Sequence, residues 1–127
     1  MRHERRAFWR YNVADFAKSQ AAREETHMYG TIALMKPKEG QIDALNALFE
    51  EWWAERRPKV KGAISSTVYR NVSNPAEIMV AVAFDSKENY MANAEDPEQN
   101  DWYQKLVALL EAEPRWIDGD ILAHKHV

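Results

Sequence analysis

Cysteine is absent from the 127 residues. This excludes a disulfide, a thiolate nucleophile and any zinc or iron–sulfur centre held by cysteine. It also suits a reducing cytoplasm, the expected location. No apolar run approaches the roughly 20 residues that a bilayer-crossing helix needs, and the N-terminus lacks the hydrophobic core of a signal peptide. No membrane partner is expected. A large excess of one charge is missing too. The 17 basic and 20 acidic side chains leave a formal net charge of -3, too weak a field to gather nucleic acid. There is no phosphate loop, dinucleotide fingerprint, nucleophile elbow, HExxH metal motif or EF-hand loop, so neither a cofactor nor a metal is expected. Histidine is missing from the whole stretch between Met28 and Ala123.

What remains is ordinary globular composition, 46% hydrophobic and 29% charged, in a chain long enough for one domain. Aromatic side chains are the exception. Five Trp, five Tyr and four Phe are a heavy load for this size, and Trp52 and Trp53 are adjacent.

Residues 1–27 read as an N-terminal arm, partly helical. Arg2, Arg5, Arg6 and Arg10 stand beside Phe8, Trp9 and Tyr11, and Asn12 can cap a short helix. Six basic against four acidic side chains give this arm a local +2. It either tucks against its own domain or embraces a partner subunit, where its aromatic residues would find cover.

The domain proper spans 28–127. HMYGTIALMK alternates as a strand, with Gly30, Ile32 and Leu34 on one face and Tyr29, Thr31, Ala33 and Met35 on the other. Ile42, Leu45, Phe49, Trp52 and Arg56 then recur at helical spacing up to Pro58. AISSTVYRNV and EIMVAVAF read as a hairpin around Asn74-Pro75. A helix starts at Asp85-Ser86, breaks at Asp96-Pro97 and resumes from about Glu98 to Ala112. RWIDGDILAHKHV supplies a last strand.

The order β-α-β-β-α-β specifies an α+β class, a ferredoxin-like split βαβ: an antiparallel sheet with helices on one face. Met35, Tyr69, Met79 and several alanines are then apolar on the face the helices cannot cover. A second subunit stacking its own sheet there would bury them, so a homodimer is expected.

Strand, long helix, hairpin, helix and strand in this order resemble the dimeric α/β-barrel family of antibiotic biosynthesis monooxygenases. The segment VAFDSKENYMANAEDPEQNDWYQKLVALLE is similar to that family's strand end, charged turn and split helix. The similarity runs from about Met28 to Ile121 and leaves the arm unmatched. It implies a barrel built from two subunits' sheets, each subunit keeping a pocket between sheet and helices. Some relatives oxidise aromatic polyketides with no metal or flavin; others bind and degrade haem. Haem-degrading members place tryptophan where Phe84 stands and use a histidine ligand in the following helix. Neither is present here, which disfavours a haem-binding role.

Trp52, Trp53, Trp102 and Trp116 come from three elements that converge on one sheet face, where Trp52, Trp102 and Trp116 with Phe84 and Tyr90 form the candidate substrate site. They either line a cavity for a planar aromatic or polycyclic ligand, with indole N–H groups as polar handles, or fill the core. Trp52 and Trp53 point about 100° apart on a helix, so one meets the pocket and the other an interface. His27 is a candidate general base for a phenolic or enolic proton, or a solvated strand-end histidine. Tyr69 and Tyr90 either donate to a ligand carbonyl or pack with exposed hydroxyls. Asn71 and Asn93 could orient a ligand or serve turns and helix surface. His124 and His126 share a strand face as metal ligands would, but only Asp118 or Asp120 could extend the set. The acidic stretch 85–101 has six carboxylates against Lys87, a local -5, and is either a solvated helix face or the mate of a partner's arm. The functional expectation is cofactor-independent oxygenation of a small aromatic. The alternative is a noncatalytic dimeric binding or assembly protein.

Overall fold

The computed structural model describes residues 27–127. The arm therefore lies outside the described residues except for His27. Strand β1 (Tyr29–Met35) leads to helix α1 (Ile42–Glu51), which runs on through a π turn (Trp52–Arg56) and a 3-10 turn (Arg57–Lys59). The hairpin β2 (Ala63–Arg70) and β3 (Ile78–Phe84) follows, then α2 (Lys87–Ala94), α3 (Pro97–Ala108) and β4 (Arg115–Asp120). The strands form one antiparallel sheet in the order β2-β3-β1-β4. This is the ferredoxin-like arrangement that the element order specifies. No helix among the described residues is long and apolar enough to cross a membrane.

Local chemistry explains the boundaries. The Ser86 hydroxyl caps α2 by accepting from the Asn89 amide at 3.1 Å. The Asp96 carboxylate caps α3 through Glu98 N–H at 2.8 Å, with Pro97 in the first turn, where its missing N–H costs nothing. Pro58 does not stop the helical path. It sits near the start of the 3-10 turn, for the same reason. Gly62 then takes φ +85 as the chain turns into β2, and its carbonyl accepts from Asp85 N–H at 2.8 Å. A side chain there would collide with Asp85 and Asn89.

The core lies between the sheet and α1 and α3. Ala33, Met35, Ile78 and Val80 meet Leu45, Leu48, Trp102, Leu106 and Leu110. Met35, expected on the uncovered face, is instead 4% exposed in this core. Strand alternation gives it the same face as Thr31 and Ala33, and the helices cover that side. The apolar set on the open face is Ile32, Leu34, Met79, Ala81 and Ile117, with Tyr69 at its side. Register places Ile32 between Ala81 and Ile117, and Met79 between Leu34 and Tyr69. Ile32, Ile117 and Tyr69 remain 49%, 45% and 52% exposed.

Gly30 marks a close approach of backbones: a Cβ there would run into the carbonyl oxygen of Val82 on β3. Gly30→Ala should therefore push β1 from β3 and lower stability by roughly 1–3 kcal/mol or more, as overpacking does. A urea midpoint equal to that of the parent would show that the strands yield freely.

Candidate ligand cavity between the sheet and its helices

Packing closes one end of the sheet–helix layer and leaves the other hollow. The hollow encloses about 410 Å³, within the usual range for small-molecule sites. Its sheet wall carries Thr31, Val82, Phe84, Trp116 and Asp118; its helix wall carries Phe49, Trp52, Trp53, Tyr90 and Trp102. The candidate set Trp52, Phe84, Tyr90, Trp102 and Trp116 is thus brought to one chamber. Trp53 joins it, contrary to the expected split between pocket and interface. The reason is the π turn. Arg57 N–H bonds back to the Trp52 carbonyl, five residues earlier, so the turn is wider and the angular step smaller. Both indoles line the cavity, edge to face at 5.6 Å between centroids, and the Arg57 guanidinium lies 5.6 Å over the Trp53 ring.

Two indole N–H groups are not the ligand handles expected of them. Trp102 Nε1 donates to the Leu48 carbonyl at 3.2 Å, and Trp52 Nε1 donates to Gln99 Oε1 at 2.8 Å. They anchor the wall instead. Trp116 is 41% exposed, beside Tyr103 at 6.1 Å between ring centroids.

Polar chemistry gathers where β1 and β4 pair. Thr31 and Asp118 are cross-strand partners, 5% and 8% exposed, and both line the cavity. Tyr90 reaches over from α2, and its hydroxyl donates to Asp118 Oδ1 at 3.1 Å. Burial foremost, and then the Asp118 charge, raises the Tyr90 pKa well above its ordinary 10.0, against a smaller opposing effect of Thr31. The phenol is therefore held as a donor. The Thr31 hydroxyl, although beside it, makes no hydrogen bond of good geometry. Asp118 was legible in sequence only as a distant metal ligand. Its alternation with Trp116 along RWIDGD was the available signal.

The other candidates lie elsewhere. Tyr69 cannot act in the cavity, because alternation along β2 turns it to the opposite sheet face. His27 precedes β1 and does not line the chamber. Its buried Nε2 has no hydrogen bond and stands 3.8 Å from Asp120 Oδ1. Asn71 serves the hairpin, donating to Glu77 Oε1 at 2.8 Å and accepting from Ser73 N–H. His124 and His126 stack edge to face at 5.0 Å, and no group of three or more metal-ligating side chains gathers among the described residues.

Arg56 ties the helical wall together. It is 8% exposed, bonding Asn93 Oδ1 at 2.8 Å, Gln99 Oε1 at 3.2 Å and Glu98 Oε1 at 3.2 Å, with Asp96 at 3.8 Å. Glu98 and Asp96 are exposed enough for solvent to screen them. The bonds to the neutral amides therefore contribute most. Gln99 also holds Trp52, so one clip joins the π turn to α2 and α3.

Residues 28–105 match the family model described as antibiotic biosynthesis monooxygenase. Among solved structures, a candidate antibiotic biosynthesis monooxygenase from Chloroflexus aurantiacus is 25% identical, covering 78% of this chain and 97% of that one at a TM-score of 0.64. A similarly described protein from Caulobacter crescentus is 11% identical, covering 83% and 99% at a TM-score of 0.68. A protein from a Jannaschia species, described as dimeric, ferredoxin-like and of unknown function, is 17% identical, covering 74% and 99% at a TM-score of 0.62. No curated protein matches the chain.

Arg56→Met keeps the apolar stem and removes the fork. It should cost about 1–3 kcal/mol, the penalty for leaving part-buried amides unpaired, with a shift in tryptophan emission as Trp52 loosens; an unchanged urea midpoint would contradict the clip. Tyr90 gives a pH signature. Because its pKa is raised by folding, its contribution is present below pH 10.0 and is lost as pH climbs, since the unfolded phenol ionises first. Alkaline titration of stability should therefore fall more steeply for the parent protein than for Tyr90→Phe.

Proposed function

The chain belongs to the antibiotic biosynthesis monooxygenase family, and from that premise we propose that it oxygenates a small, planar, electron-rich aromatic without a resident cofactor. The observation that carries this reading is the aromatic cavity of about 410 Å³, whose lining has no lysine, arginine or histidine among the described residues. Aromatic walls such as Trp52, Phe84 and Trp102 suit a flat apolar ligand, and the few rotatable bonds of aromatic side chains limit the entropy lost on binding it.

The chemistry needs no redox metal when the substrate itself is the reductant. A phenolic proton leaves, and the resulting carbanion-like ring carbon bonds to dioxygen. The O–O bond then breaks. One oxygen stays as a new carbonyl, and the other departs as water with the hydroxyl hydrogen and the displaced ring hydrogen. The chain's part is to hold the ring, exclude water and favour the deprotonated form through fixed dipoles. Tyr90, kept protonated, donates to Asp118 and holds that carboxylate at the cavity wall.

The same reading includes a homodimer. The apolar face around Ile32, Met79 and Ile117 is left half-exposed by the described residues, and a second copy's sheet is the complement of the same character.

The primary test adds a hydroxylated tricyclic aromatic to chelator-treated protein, following tryptophan quenching and oxygen uptake. Saturable quenching with oxygen consumed one-to-one with product is expected. Trp116→Ala should weaken binding by about 0.5–1.5 kcal/mol, the worth of one aromatic contact. Neither quenching nor uptake above the uncatalysed rate would refute the proposal. For assembly, Ile32→Asp combined with Ile117→Asp should convert a dimer to monomers in sedimentation, and a monomeric parent protein at micromolar concentration would refute that part.

A further inference from the structure

One flank of the cavity is framed by cations. There the wall passes from Trp53 on the π turn to Ala63 and Ser66 on the edge strand β2. All three residues are only half-buried, so the chamber reaches the surface between them. The chain links these two walls through residues 57–62 alone, and the link carries exposed Arg57, Lys59 and Lys61 with no acidic residue. No carboxylate forms a salt bridge with any of the three among the described residues. Glu55 precedes the link and Asp85 lies against Gly62, but Asp85 is already engaged by the Asn89 amide at 2.8 Å. The Arg57 guanidinium stands 5.6 Å over the ring of Trp53, itself part of the cavity wall.

We propose that Arg57, supported by Lys59 and Lys61, is an anion-recognition site at the mouth of the cavity, taking the carboxylate or phosphate of a ligand whose aromatic ring lies inside. This rests on the aromatic-cavity reading above and adds a charged tail to its ligand. Burial decides which part of the ligand goes where. An anion keeps its water at an exposed mouth and loses it inside an aromatic chamber, so the tail belongs outside and the ring within. A guanidinium held against an indole face is restrained before the ligand arrives. Its fork of N–H donors matches two oxygens of a carboxylate or phosphate. Lys59 and Lys61 add charge of the same sign without fixed geometry. The whole chain carries a net charge of -3, so its overall field disfavours anions and an anion preference needs a local source. Exposed cations give a preference that is modest and weakened by salt.

The test uses two probes with one ring system and one linker, naphthyloxyacetate and its uncharged methyl ester, titrated calorimetrically against the full chain. At low ionic strength the parent protein should bind the acid about fivefold more tightly than the ester, the size expected of exposed charge pairs. The difference should close in roughly 0.5 M sodium chloride, where such pairs are screened. Arg57→Gln should remove most of the difference while leaving ester affinity and the urea midpoint unchanged. Arg57→Glu should reverse the preference. A merely structural role for Arg57 would instead weaken acid and ester alike. Lys59→Gln combined with Lys61→Gln should narrow the difference without abolishing it. Equal affinity of the parent protein for acid and ester overturns the anion site and leaves the aromatic cavity standing. So does a preference for the acid that survives all three glutamine substitutions together. Failure of both probes to bind overturns the cavity reading and this assignment with it.

Discussion

A four-stranded sheet backed by helices on one side has two apolar faces and one cover, and the architecture follows from how that mismatch is met. On the covered face, Met35, Ile78, Leu45 and Leu106 close a dry core. On the open face, Ile32, Met79 and Ile117 form a second apolar surface of the kind that monomeric proteins seldom leave to water. The proposed assembly surface and the proposed ligand cavity therefore lie on opposite sides of one sheet. Strand alternation keeps them separate: a residue can face the cavity or the open side, and a shift by one position exchanges the two.

The cavity persists because the helices are held at a fixed distance rather than allowed to collapse. Interiors normally fill to crystal-like density, so a hollow beside a good core needs scaffolding. Here the scaffolding is polar. Arg56 and Gln99 join the π turn to α2 and α3, and the Trp102 indole bonds the backbone of α1. These bonds use the indole N–H groups of Trp52 and Trp102, so both rings meet the cavity with their polar atoms already paired. The π turn is part of the same device, since its wider turn brings both Trp52 and Trp53 to the chamber.

Much of this was legible in the residues. The alternation of TIALM, the helical recurrence of Leu45 and Trp52, and the breaks at Asn74-Pro75 and Asp96-Pro97 fix element order, and element order fixes the sheet. The five proposed ligand contacts do meet. Three features were not legible, each for a physical reason. Met35 was expected on the uncovered face because apolar residues occur at both parities of β1, and only helix packing decides which parity is covered. The placement of Trp53 depends on one extra residue per turn, which hydrophobic spacing does not encode. The Arg56 clip joins positions 37 to 43 residues apart, beyond any local pattern.

Asp118 was hidden by its neighbours. Beside Gly119 and Asp120 it reads as turn or surface charge, and its burial becomes visible only once β4 is seen to pair with the central strand β1. Pairing there sets it opposite Thr31 and under Tyr90, so a residue type that seldom enters an interior is buried with a phenol donor already in place. Removing a carboxylate from water is unfavourable unless its lone pairs are met. The Tyr90 hydroxyl meets one of them, at 3.1 Å, where β4 pairs with the central strand.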